Sequence, residues 1–202
     1  MEFSKLNQSR HKVTQFDGRK VTVDEVKAIL SEAVLAPSAH NIQPWHFVIV
    51  DSQEMRLALS TAMHGKNAVQ NEAAGATLVV FSDTDLPERV RDMVEIGADF
   101  LPVDHKADLL MKLPGMFEKF TAEQLAEYLA LNIGLVSQNI VLAANNKGLK
   151  TNLILGFDKV KAKEVLAIED RFQPELIITM GYSDEQGTAS YRLPVDDITD
   201  VL

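Results

Sequence analysis

The chain contains no cysteine. Disulfides, thiolate nucleophiles, zinc–thiolate sites and cysteine-held iron–sulfur clusters are therefore excluded, and any redox chemistry has to come from a bound organic cofactor. Positive charge is scarce too: 20 Lys and Arg stand against 29 Asp and Glu, a net charge of -9, with the basic residues scattered instead of gathered in one run. Such a surface on balance repels phosphate backbones and anionic membranes, so neither a nucleic acid nor a membrane is an expected partner. Residues Met1 to Lys12 lack the apolar centre of a signal peptide, and no stretch is expected to approach the roughly 20 apolar residues of a membrane span. A soluble, cytoplasmic protein is expected. His11, His40, His46, His64 and His105 form no His-Glu-x-x-His pair, so no metal site is expected either.

What is present is a chain of 202 residues, 46% hydrophobic and 24% charged, a balance that suits one globular domain with a well-developed core. No linker, internal repeat or second domain is visible along it. A Thr-x-x-Glu capping box, Thr22 and Glu25, opens an amphipathic helix carrying Val26, Ile29, Leu30, Ala33 and Val34, which Pro37 stops. The polar loop Ser38 to Pro44 leads into Trp45 to Val50, whose β-branched and aromatic residues fit a mostly buried strand. A second apolar run, Ala76 to Phe81, reads as another strand. From Leu86 to Phe120 short amphipathic pieces alternate with Pro87, Pro102, Pro114 and Gly115, and a mobile cover is expected there.

Thr121 and Gln124 form a second capping box. From there to Lys147 the chain has no proline and one interior glycine, Gly134, before Gly148 supplies a C-terminal cap. A helix of that length spans roughly 40 Å. Its apolar residues, among them Leu125, Leu129, Leu131, Ile133, Leu135, Val136 and Ile140, occupy more than one face, which predicts burial nearly all round. In a small domain the extra face is most simply covered by a second subunit. Thr151 to Leu155 and Glu175 to Met180 read as further strands, joined by a helix that begins near Asp158. Alternating helices and strands predict a layered α/β or α+β protein.

The most informative stretch is Ala36-Pro37-Ser38-Ala39-His40-Asn41-Ile42-Gln43-Pro44-Trp45. By residue type it is a helix stop, a loop rich in amides and hydroxyls, and a proline and an aromatic that lead into a strand. That composition fits an ordinary helix-to-strand connection as well as a loop that hydrogen-bonds a polar ring edge. Trp45 is assigned to packing, and His40 and His46 to structural or surface positions.

The passage from Ala-Pro-Ser through Asn-x-Gln-Pro-Trp into a strand resembles the flavin-contacting signature of the nitroreductase family. Further matches follow in family order over nearly the whole chain: Arg10-His11-Lys12 before Phe16-Asp17, Asn71-Glu72 before a strand, Gly148-Leu149 through Gly156-Phe157-Asp158, and Tyr191-Arg192-Leu193-Pro194. The resemblance implies an α+β, three-layer α/β/α fold with a central, mainly antiparallel sheet and a long central helix at a dimer interface. It also implies one FMN-binding domain over residues 1–202, with 86–120 as the variable cover.

For function, the resemblance implies an FMN-dependent oxidoreductase, active as a homodimer with FMN at the interface. Hydride would pass from NADH or NADPH, through flavin N5, to nitroaromatic, quinone or similar electron-poor acceptors by a ping-pong cycle, with one pocket serving both substrates. No catalytic side chain is implied. Arg10, His11, Lys12 and Thr14 are implied to hold the phosphate and ribityl chain together with Arg192, guanidinium gripping phosphate in a bidentate fork. By itself, an N-terminal basic cluster is usually just a solvated one. Pro37, Ser38, Ala39 and Asn41 are implied to meet the flavin from the partner subunit, and Asn71 to bond the pyrimidine edge. Leu153, Ile154, Leu155 and Gly156 are implied to run along the ring, Gly156 permitting close backbone approach or simply turning the chain before Asp158. Phe100, Phe117 and Phe120 are candidates for lining the acceptor slot, or for the core. Thr14, Ala74 and Ser190 stand where relatives carry basic residues, so phosphate binding rests on fewer charges. Leu155 stands where some carry Glu, which makes the site more apolar. The same fold also accommodates flavin-binding or flavin-handling proteins with little reductase activity, and reductive dehalogenases.

Overall fold

The computed structural model describes residues 2–97 and 99–202. In chain order its elements are α1 (Phe3–Ser9), α2 (Val23–Ala33), a 3-10 turn (Ala39–Asn41), β1 (Trp45–Val50), α3 (Gln53–Ser60), α4 (Lys66–Ala73) and β2 (Ala76–Asp83). There follow α5 (Leu86–Ile96), α6 (Val103–Phe117), α7 (Ala122–Asn146), β3 (Lys150–Ile154), α8 (Lys159–Leu166), β4 (Phe172–Gly181) and a 3-10 turn (Val195–Ile198). Both predicted capping boxes form: Thr22 with Glu25 opens α2, and Thr121 with Gln124 opens α7. Asp158 caps α8, accepting from the Lys161 amide at 3.0 Å. Gly148 follows α7 with φ +82°, the left-handed stop that glycine adopts without steric cost.

The four strands form an antiparallel sheet in the order β1-β2-β4-β3. Strand β2 is buried along its whole length, because alternate residues feed two cores. Leu78 and Val80, with Leu176, Ile178 and Met180, face α2 and α7. Val79 and Phe81, with Ile154 and Ile177, face α3 and α8. Helices on both faces of an antiparallel sheet make the α+β, three-layer arrangement expected from the sequence.

A third cluster, Ile42, Leu86, Val90, Leu113, Phe117 and Leu129, joins α5 and α6 to the start of α7 and to the loop before β1. Of the stretch 86–120, the described residues thus form two helices where short pieces were expected. Pro114 lies inside α6. Arg171 anchors this layer to the sheet. It makes a bidentate pair with fully buried Asp83 at the end of β2 and bonds Asp92 of α5 at 2.8 Å.

One expectation about α7 needs correction. The helix contains an apolar window of mean hydropathy 1.3, long enough by composition to cross a membrane, where none was expected. Its buried Asn132 and Asn145 hydrogen-bond neighbouring elements and its apolar side packs on α2 and the sheet, as in a core helix of a globular protein. In the single chain Ala130, Leu131, Gly134, Leu135 and Gln138 form an exposed stripe, the extra face for which a second subunit was expected.

Candidate functional site

Two concave regions gather the residues singled out by the sequence. The first, a cavity of ≈ 560 Å³, is lined by Arg10 and His11, by Gln138 and Val141 of α7, by Leu153 of β3, and by Ser190 and Arg192 from the far end of the chain. A neighbouring hollow of ≈ 530 Å³ shares Ser190 and takes in Lys12 and Thr14. Local backbone pairing draws these ends together. Lys12 bridges Thr151 on one side and Thr188 on the other, and the Asn145 side chain holds α1 through the Ser9 hydroxyl at 2.8 Å and the Leu6 carbonyl at 3.3 Å. Gly187, with φ +74°, lies so close that a Cβ there would meet the His11 Cβ at 2.6 Å, and only glycine lets the tail lie against the N-terminal strand.

Among the described residues no carboxylate pairs with Arg10, Lys12 or Arg192, although acids outnumber bases in the chain. The Arg192 guanidinium donates only to the carbonyl of adjacent Tyr191, at 2.9 Å. Unpaired cations around one cavity make a ready anion site, and its volume lies within the usual range for cofactor pockets. These residues therefore fit a phosphate-bearing cofactor.

The cavity wall continues along β3. Leu153 and Leu155 are exposed, while Ile154 turns its side chain into the core and leaves only backbone to a ligand. Gly156 is open: a Cβ there would meet only the Asn67 amide, at 3.5 Å.

The assignment of Asn71 to a ligand contact is overturned. Asn71 is fully buried, its amide donates to the Arg56 carbonyl at 2.8 Å and to the Ser60 hydroxyl at 2.9 Å, and its oxygen accepts from Thr77 at 2.6 Å. Every polar group of the side chain is already spent locking α4 to α3 and β2. One turn earlier on α4, half-buried Asn67 presents its amide to the Gly156 carbonyl at 3.3 Å, and Gln70 accepts from Asn152 at 2.6 Å. Sequence reasoning missed both. Asn67 and Asn71 share one face of α4, four residues apart, and residue type does not say which one the core takes.

The second region surrounds the Pro37–Asn41 turn. Ala39 is held at both ends of its backbone: its amide donates to buried Asn132 of α7 at 2.9 Å, and its carbonyl accepts from the Tyr128 hydroxyl at 2.8 Å. Burial pushes the Tyr128 phenol up to about 12, so it remains a donor at neutral pH. The Ser38 hydroxyl accepts from the Gln43 amide at 3.0 Å. His40, Asn41 and Gln43 all have positive φ, 57°, 53° and 48°, a conformation that L residues hold only when their surroundings impose it. Pro37 and Asn41 are exposed.

The three phenylalanines separate. Phe100, 90% exposed, lines a ≈ 300 Å³ cavity beside Asn41. Phe117 is buried, contacts the His40 ring edge-on at 6.3 Å and supports the turn from beneath, a correction to its placement in the acceptor slot. Phe120 packs on Phe117 and Tyr128 and borders a separate surface hollow with Leu131, away from Phe100. His46 stacks on Phe172 at 4.3 Å and Trp45 lies in the core, both structural as expected.

The fold is that of an α+β protein, and the cation-lined cavity between its chain ends and its central helix has the lining that a phosphorylated cofactor requires. Residues 8–182 match the model of the Nitroreductase family, and the chain belongs to that family. A Streptococcus pyogenes protein provisionally named an NAD(P)H nitroreductase is 43% identical, the match covering 98% of each chain. The crystal structure of a nitroreductase family protein from Streptococcus pneumoniae is 44% identical, with a TM-score of 0.95 over 100% of both chains. A nitroreductase-type structure from Exiguobacterium sibiricum, solved in complex with FMN, is 30% identical with a TM-score of 0.93 and covers 100% of this chain and 98% of its own.

Proposed function

We propose that the protein is an FMN-dependent NAD(P)H oxidoreductase, one FMN-binding domain over residues 1–202 with 86–120 as its cover, acting in the cytoplasm on a small electron-poor acceptor such as a nitroaromatic or quinone. The observation that carries this is the meeting of unpaired Arg10 and Arg192 in one cavity of a chain with net charge -9. FMN as the cofactor and NAD(P)H as the donor follow from family membership, from the name of the 43% identical relative and from the FMN-bound neighbour.

Arg10, His11, Lys12, Thr14 and Arg192 hold the phosphate and ribityl chain. Leu153, the Ile154 backbone, Leu155 and Gly156 give the flat ring an apolar wall that excludes water on one side, and Asn67 offers an amide donor where Asn71 cannot. When bound, FMN supplies hydride acceptance and donation; the chain supplies orientation and hydrogen bonds.

Pro37, Ser38, Ala39 and Asn41 complete the site from a second copy. Asn132, which anchors the turn, and Gln138, which lines the cation-rich cavity, are six residues apart on α7. They are thus displaced by roughly 9 Å along the helix and about 240° around it, so the turn and the cavity of one chain face different ways. Between them runs the exposed stripe with Leu131 and Leu135, and the tail adds Tyr191, Leu193, Val195 and Ile198, each more than half exposed. An apolar surface of this extent calls for a partner, and a homodimer packed on α7 would bring each turn to the other chain's cavity.

Saturating the protein with FMN, desalting it and adding NADH or NADPH anaerobically tests the reading. A yellow protein whose 450 nm band bleaches supports it; a yellow protein that neither nucleotide reduces would make it a flavin-binding protein instead.

A further inference from the structure

Arg89 of α5 is half-buried, yet no acid pairs with it among the described residues. Its Nε donates to the carbonyls of Ile42, at 3.3 Å, and Gln43, at 3.1 Å, and burial pulls its pKa down from the ordinary arginine value. An arginine keeps its charge even so. No protein group engages its two Nη groups among the described residues, and the side chain lines the ≈ 300 Å³ cavity. The rest of that wall is largely apolar: Met93, Ile96, Phe100, Leu101 and Leu109, with the imidazoles of His40 and His105 and the amide of Asn41 at its edge. Among the described residues no carboxylate lines it. Nearby Asp83 and Asp92 are both taken by Arg171.

A half-buried guanidinium with unpaired Nη groups on the wall of a largely apolar hollow is complementary to a carboxylate on a small hydrophobic body. The volume is at the low end for ligand pockets, enough for one ring with a short substituent and too small for a dinucleotide. We propose that this cavity binds the acceptor, and that the preferred acceptor is a small aromatic or unsaturated carboxylic acid whose carboxylate is held by Arg89. This rests on the oxidoreductase reading above, because Asn41 belongs both to this wall and to the turn assigned to the flavin.

The test pairs two acceptors that differ in one group, 4-nitrobenzoate and nitrobenzene, with the FMN-loaded protein. We expect the wild type to favour 4-nitrobenzoate in kcat/KM, chiefly through KM. Arg89→Met should lower the ratio of the two kcat/KM values by roughly tenfold or more, the loss expected for a charge-assisted bond. Since Arg89 also clamps the Ile42 and Gln43 carbonyls, a second variant leaves it in place. Ile96→Glu, at a rim position 83% exposed, sets a like charge before the carboxylate and should lower the same ratio. Calorimetric titration of 4-nitrobenzoate into the oxidised FMN-loaded protein and both variants measures binding without turnover. No preference in the wild type, or equal losses on both acceptors in both variants, would overturn the proposal. If NAD(P)H fails to reduce the flavin, the oxidoreductase reading falls, while the titration still decides whether the cavity takes a carboxylate.

Discussion

The side-chain oxygen of Asn132, buried midway along α7, accepts the Ala39 amide hydrogen at 2.9 Å, and the Asn132 amide donates in turn to the Tyr128 carbonyl at 2.7 Å. Tyr128 closes the loop by donating to the Ala39 carbonyl. A strained surface turn is thereby fixed to the long central helix.

Asn132→Ala leaves the Ala39 amide without a partner, so urea unfolding should show a loss of about 1–3 kcal/mol. Tyr128→Phe removes one neutral hydrogen bond and should lose about 0.5–1.5 kcal/mol. Both variants should also lose FMN affinity in a fluorescence titration, because the turn relaxes from its positive-φ conformation.

Asn67 and Asn71 should separate by phenotype. Asn71→Ala orphans groups on Arg56, Ser60 and Thr77 and should destabilise the fold by about 1–3 kcal/mol. Asn67→Ala gives up a single long bond at the surface and should keep its Tm while binding FMN more weakly. Weaker binding in Asn71→Ala at unchanged Tm would reverse the assignment.

Arg192→Ala should reduce FMN affinity by roughly ten- to a hundredfold, the equivalent of about 1.5–3 kcal/mol, at unchanged Tm of the flavin-free protein. Among the described residues its guanidinium hydrogen-bonds only the neighbouring Tyr191 carbonyl, so it contributes little to folding by itself.

His46 is half-buried on the Phe172 ring, and desolvation lowers its pKa below the ordinary value of 6.5. The sign follows from linkage: the unfolded chain takes up a proton before the folded one does. His46 therefore contributes fully above about pH 6.5, and its contribution declines as pH falls through that value towards the lower folded one. His46→Phe keeps the stack and removes the proton site, so urea unfolding between pH 5 and 8 should show a flatter pH dependence in the variant.

The capping boxes and strand β2 were legible because each depends on local pattern: Thr22 with Glu25, Thr121 with Gln124, and the continuous apolar run Ala76 to Phe81. The joining of Arg10 to Arg192 was implied only by the family resemblance. Partner choice was not legible. Whether Asn67 or Asn71 faces the core follows from Ser60 and Thr77 arriving from other elements, and whether Phe117 or Phe100 lines a hollow follows from how α5 and α6 fold back. Arg89 escaped notice for the same reason, since its partners are two backbone carbonyls of a distant loop.

Arg10 and Arg192 stand almost a full chain apart in sequence, yet they share one cavity, held by the Lys12–Thr188 bridge and the close approach at Gly187. During synthesis, the two arginines thus cannot share that cavity until residues 187–192 have left the ribosome.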